Sequence, residues 1–175
     1  NGIPNVAVHD VVIQKKAKDL VVGTHGSSVY KVNLEQVQQL SDKIMAENLH
    51  VFELKKIKKS IEWGNSWSSW AKASEPKAEI WFYSNGDSEV LLQIENSLKE
   101  VVYSQKVKAS KGLNKHVYDL SITKATADNW KNKDKKLKLE EAKNGKYYLP
   151  ISINKISIQK GKEKVVIDLE IIESK

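Results

Sequence analysis

The chain has 175 residues, 40% of them hydrophobic and 29% charged, which supports one good core or one domain with an attached piece. No run approaches the length of a membrane-spanning helix, and cysteine is absent, so disulfides, thiolate metal sites and cysteine nucleophiles are excluded. The net charge of +7 rests on lysine scattered over several stretches, with no arginine for bidentate reading of phosphate or guanine; it reads as solubilising charge, and nucleic acid is not an expected partner.

The opening residues, "NGIPNVAVHD", lack the basic start and long apolar run of a signal peptide. Residues 6–33 read as three short strands joined by tight turns, a meander. The first carries Val6, Val8, Val11 and Ile13, with a slip near His9 and Asp10 that predicts a bulge. The period then changes. Leu34, Val37, Leu40 and Ile44 fall on one helical face, predicting a helix over 34–46 with Asn33 as N-cap and Gln36 completing a capping box. A strand over 49–57 follows.

Residues 58–78 read as a linker that holds three of the five tryptophans, Trp63, Trp67 and Trp70, before Pro76 favours an extended exit. From residue 79 the pattern is all-β. "EIWFYS" meets Asn85-Gly86, a dipeptide typical of hairpin turns; "EVLLQIEN" alternates Val90, Leu92 and Ile94; and "KGKE" joins the last two strands. Some seven strands with regularly spaced turns predict an immunoglobulin-like or fibronectin-III-like sandwich over 79–175. One connection, residues 123–144, is long, polar and lysine-rich and is expected to be mobile.

The order of these segments resembles the C-terminal region of bacterial sortilin-like β-propeller proteins with BNR (Asp-box) repeats, a glycosyl-hydrolase-like family. Residues 8–13 and 19–30, with "DLVVGTHGSSVY", are similar to that family's closing blade. "VQQLSDKIMAENLHVFELK" resembles its exit segment, "WGNSWSSWAKASEPKAEIWFYS" its linker, and "VLLQIENSLKEVVYS", "KGLNKHVYDL" and "NGKYYLP" its C-terminal immunoglobulin-like module. The resemblance implies a mainly β chain: a propeller-blade remnant over 1–57, the tryptophan linker over 58–78, and a sandwich. It further implies the C-terminal piece of a longer protein exported to the periplasm, cell surface or medium, with upstream propeller blades as partners and a parent that handles polysaccharide. Two departures stand out: Ser27 replaces the family's arginine after Thr24-His25-Gly26, and residues 150–153 lack the glycine of the closing hairpin. The Asp-box itself does not occur.

Glycoside hydrolysis needs two carboxyl groups facing each other across a sugar-sized cleft. Glu53, Glu62, Glu75 and Asp87 lie near the linker and its tryptophans, but no spacing marks a pair, and no catalytic residue is assigned. His25, with Asp10 and Ser27 nearby, lacks a nucleophile-elbow context and reads as a structural turn histidine. The four histidines show no zinc spacing, no phosphate loop or dinucleotide fingerprint occurs, and no cofactor is expected. Tyr118 and Asp119 read as structural, one packing and the other tying down a loop. For Trp63, Trp67 and Trp70 two readings compete. The preferred one is a seal packing blade against sandwich in a non-catalytic accessory module; the alternative is an aromatic platform for carbohydrate. A blade without neighbours exposes strand edges, so homodimerisation is also expected.

Overall fold

The computed structural model describes residues 5–26 and 28–174, and the chain divides into two units between Ile44 and Met45. In the first unit, β1 (Val8–Gln14), β2 (Asp19–Thr24) and β3 (Val29–Asn33) form an antiparallel meander in that order. Register places Val11 opposite Val22 and Ile13 opposite Leu20, with Tyr30 and Val32 beyond them, so these side chains share one face. Val22 is buried, whereas Val11, Ile13 and Val32 stay exposed. The register shifts between Val8 and Asp10, a bulge at His9 where the alternation breaks. Asn33 ties the meander's turn to its last strand, its Nδ2 donating to the Ala17 carbonyl at 2.8 Å and to Asp19 Oδ1 at 3.0 Å.

The single helix expected over 34–46 is instead two one-turn helices, α1 (Glu35–Gln39) and α2 (Asp42–Ala46). Leu40 turns extended at ψ 120°, and the Ser41 hydroxyl accepts from the Ile44 amide at 3.3 Å, opening a new helical start. The expected capping box does not form. Leu34 occupies the cap position without a side-chain bond, while Asn33, one residue earlier, accepts the Glu35 amide on its Oδ1 at 3.0 Å.

The second unit is a β-sandwich. Its strands are β4 (Leu49–Val51), β5 (Ile57–Lys59), β6 (Ala78–Ser84), β7 (Ser88–Glu95), β8 (Val101–Ala109), β9 (Gly112–Tyr118), β10 (Ser121–Ile122), β11 (Tyr147–Tyr148), β12 (Ser152–Lys160) and β13 (Glu163–Glu173). One sheet runs β5-β13-β12-β7-β8 and the other β4-β6-β9, with β10 and β11 pairing separately. Alternation sends Ile80 and Phe82 inward from the smaller sheet and Val90, Leu92, Ile94, Ile156, Ile158 and Leu169 from the larger, all fully buried in one core.

Three expectations change here. The segment over 49–57 is not part of the first unit: β4 pairs with β6, β5 runs parallel to β13, and the burial of Leu49 and Val51 draws both into the sandwich. Residues 60–77 therefore connect two strands of one unit, and the boundaries at 57 and 78 give way to one at 44. Asn85-Gly86 does not close a hairpin. β6 pairs with β9 while β7 pairs with β8 and β12, so the turn carries the chain from one sheet to the other. Lys160 Nζ clamps this crossing by donating to Ser84 Oγ at 2.9 Å, Asn85 Oδ1 at 2.7 Å and the Asn48 carbonyl at 3.1 Å.

The third change concerns residues 123–144. They contain α3 (Lys124–Lys133), capped by the Thr123 hydroxyl, which accepts from the Thr126 amide at 3.2 Å. Helical spacing puts Ala127 and Trp130 on the inner face, and both join the core together with Leu139. The connection is thus anchored by apolar burial that its polar composition hides. Trp130→Ala is expected to destabilise the protein by about 3–5 kcal/mol, read as a lowered urea midpoint at unchanged m-value; a loss below about 1 kcal/mol would mean the helix is only loosely held.

Candidate functional site

The tryptophan segment leaves β5 and immediately turns. Gly64 adopts φ +81°, and a Cβ there would lie 2.5 Å from the Ala142 Cβ and 2.7 Å from Asn144 Oδ1, so a left-handed turn and a close approach both require glycine. The Gly64 amide donates to the Ser74 carbonyl and the Ser74 amide to the Asn65 carbonyl, each at 2.7 Å, which closes residues 65–74 into a loop. Trp63 stands on the near side of this closure, half-buried against the core, its ring edge-to-face with Tyr148 at 5.9 Å. Trp67 and Trp70 stand on the loop itself, 78% and 77% exposed, and pack edge-to-face on each other at 4.5 Å. The structure thus separates the three tryptophans into one wall residue and one exposed pair.

Where Trp63 faces the chain after α3 there is a cavity of about 450 Å³, bounded by Lys59 and Trp63 on one side and by Lys138, Glu140 and Tyr148 on the other. The far end of the loop is held by a charged bridge. Lys146 Nζ lies 2.8 Å from both Glu75 Oε1 and Asp119 Oδ2. Asn144 Nδ2 donates to the Tyr148 hydroxyl at 2.8 Å and to Glu75 Oε1 at 3.3 Å. The hydrogen bonds to Asp119 and then Glu75 hold the Lys146 ammonium well above the usual lysine range. Burial works against the Asp119 carboxylate, but bonds from Lys146, the Ser121 hydroxyl and the Ser121 amide outweigh it and keep the carboxyl below its ordinary value.

Tyr118 is buried, donates its hydroxyl to the Ser121 carbonyl at 2.7 Å and packs on Tyr103 at 4.3 Å between ring centres. Burial, then the Asp119 and Tyr103 charges, push its phenol far above the ordinary range. Close by, the Tyr103 hydroxyl lies 3.3 Å from His116 Nε2, and burial pushes the His116 imidazole down. In the first unit, the His25 amide donates to the Ala7 carbonyl at 3.0 Å and its ring stacks on His9 at 4.9 Å. Asp10 Oδ1 accepts from the Val11 amide, and Ser27 lies outside the described residues.

The four carboxylates singled out near the linker are not gathered into one cleft. Glu75 is bound to Lys146, Asp87 Oδ1 accepts from the Lys111 amide at 2.7 Å, Glu53 lines a separate cavity beside Lys56 and Glu170, and Glu62 is exposed. Among the described residues no cluster of histidine, aspartate and glutamate is placed to hold a metal, and no helix is long and apolar enough to cross a membrane. Sequence reasoning found the tryptophans but missed Lys59, Tyr148 and the segment that faces them. No local pattern signals those residues, because the cavity joins segments far apart in the chain.

No family model matches the chain, and neither does any curated protein.

Asp119 contributes stability through its depressed carboxyl. That contribution is present above its ordinary value near 3.8 and is lost as pH falls through the lower folded-state value. Asp119→Asn is expected to lower Tm at neutral pH and to reduce the drop in Tm between about pH 5 and pH 2, measured by circular dichroism melts across that range.

Proposed function

We propose that this chain is a non-catalytic accessory module of a larger, exported, glycosyl-hydrolase-like β-propeller protein, and that its tryptophan loop binds carbohydrate. The observation that carries the binding reading is the exposed Trp67–Trp70 pair. Two indole rings left in water on a loop that is otherwise tied down at both ends are costly unless something covers them. A saccharide presents an apolar ring face bordered by hydroxyls, which suits such rings and the small polar residues between them, Ser66, Ser68 and Ser69. The seal between blade and sandwich is the weaker reading, since the loop joins two strands of the sandwich itself.

The accessory role, the exported location and the upstream blades rest on the sequence resemblance. They agree with a mainly β architecture of meander followed by immunoglobulin-like sandwich. Titration of the chain with neutral and acidic polysaccharides, followed by tryptophan fluorescence, tests the binding reading. Trp67→Ala and Trp70→Ala should each weaken binding about tenfold while leaving the unfolding midpoint nearly unchanged. Loss of stability without loss of affinity would return the loop to a packing role.

The same reading includes self-association through the first unit. Val11, Ile13 and Val32 stay exposed on one sheet face, and β1 and β3 are unpaired edges of the meander. Light scattering is expected to show a concentration-dependent dimer that Val11→Lys abolishes. A monomer at every concentration would remove this element.

A further inference from the structure

We propose that the cavity beside Trp63 binds an acidic saccharide, a uronate-bearing sugar whose ring lies against Trp63 and Tyr148 and whose carboxylate is met by Lys59. This rests on the carbohydrate-binding reading, and adds to the Trp67–Trp70 pair a second contact point at the base of the same loop together with the sugar class it takes. The volume of about 450 Å³ lies in the range of small-ligand clefts, and the loop geometry keeps it open. Gly64 holds one wall against Ala142 and Asn144. The facing wall is a closed turn in which the Ala142 amide donates to the Lys146 carbonyl at 2.9 Å and the Gly145 amide to the Ala142 carbonyl at 2.8 Å. The aromatic side consists of Trp63 and Tyr148, fixed edge-to-face.

The charge of the cavity selects the ligand. Lys59, Lys138 and Lys143 line it, and none of the three forms an ion pair among the described residues, whereas many of the other lysines do. Two carboxylates also line it. Glu141 Oε2 accepts from the Tyr147 hydroxyl at 3.0 Å, leaving Glu140 as the nearer counter-charge. Lys59 is half-buried, and burial pushes its ammonium down while Glu140 opposes that shift. A half-buried, unpaired ammonium beside an aromatic wall is stabilised by an incoming anion, and three lysines against two glutamates leave the lining positive. A neutral sugar would use the wall and ignore the charge; an inorganic anion would use the charge and ignore the wall. A uronate uses both.

The test uses the whole chain and three probes: a galacturonate trisaccharide, a neutral galactose trisaccharide and inorganic phosphate, each titrated by calorimetry at low and at about 0.5 M salt. The expected result is uronate binding about tenfold tighter than the neutral sugar at low salt, a preference lost in Lys59→Gln and reduced in Lys143→Gln. Trp67→Ala should keep the preference, since that ring stands on the loop and not in the cavity. Equal binding of both trisaccharides, insensitive to Lys59→Gln but sensitive to Trp67→Ala, overturns this inference and leaves the carbohydrate reading standing. Binding of phosphate with neither sugar overturns both. If Lys59→Gln fails to fold, the exposed Lys143→Gln variant and the salt dependence of wild-type binding decide the matter alone.

Discussion

The sandwich depends on one short crossing. β4 adds to the smaller sheet through β6, and five residues later β5 adds to the larger sheet beside β13. Phe52, between them in sequence, is buried, and its amide donates to the Trp81 carbonyl at 3.0 Å. A single stretch therefore stitches both layers over one core, and it fixes where the chain emerges after Lys59. The tryptophan loop starts from that point. Its turn at Gly64, its contact with the 142–144 segment and the half-burial of Trp63 all follow from where β5 delivers it.

The loop is held at both ends but free in the middle. Trp63 is drawn into the core's margin, and Glu75 is tied through Lys146 to Asp119. Between these anchors the chain bonds to itself, and Trp67 and Trp70 are lifted into water. Such a loop can present rings to a ligand without the ordering cost of a flexible one, because its backbone is already fixed. The Glu75–Lys146–Asp119 bridge also shows how a carboxylate near aromatic rings in sequence can be structural. Glu75 Oε1 is engaged by the Lys146 ammonium and the Asn144 amide.

What the sequence made legible was periodicity. The alternation in β7, the meander with its bulge at His9, and the turn before β13 follow directly from residue spacing, because each needs only neighbours in the chain. Pairing was less legible. Asn85-Gly86 has the composition of a hairpin turn, yet turn chemistry does not say which strand its flanks will join, and core packing sends them to different sheets. The strand expected over 49–57 failed for the same reason: its apolar residues fit either unit, and only the buried sites of the sandwich decide. Residues 123–144 misled through averaging, since the lysines around Trp130 outweigh in composition the one ring that anchors the helix. The helix over 34–46 broke where Leu40 turned extended, a choice between two local caps that periodicity does not see. The tryptophans were found as residues but not as a geometry; the partners of Trp63 come from residues 138–148, far along the chain.

The position of β13 has a consequence for how this molecule is made. It lies inside the larger sheet, between β5 and β12, although it follows every other described strand along the chain. Until it arrives, β5 has no partner in that sheet, and the crossing that stitches the layers has only one end secured. The larger sheet is therefore complete only once this strand, the one most distant from β5 in sequence, is in place. Without it β12 and β5 present open edges to one another across a gap, and open edges invite chaperone capture or strand exchange.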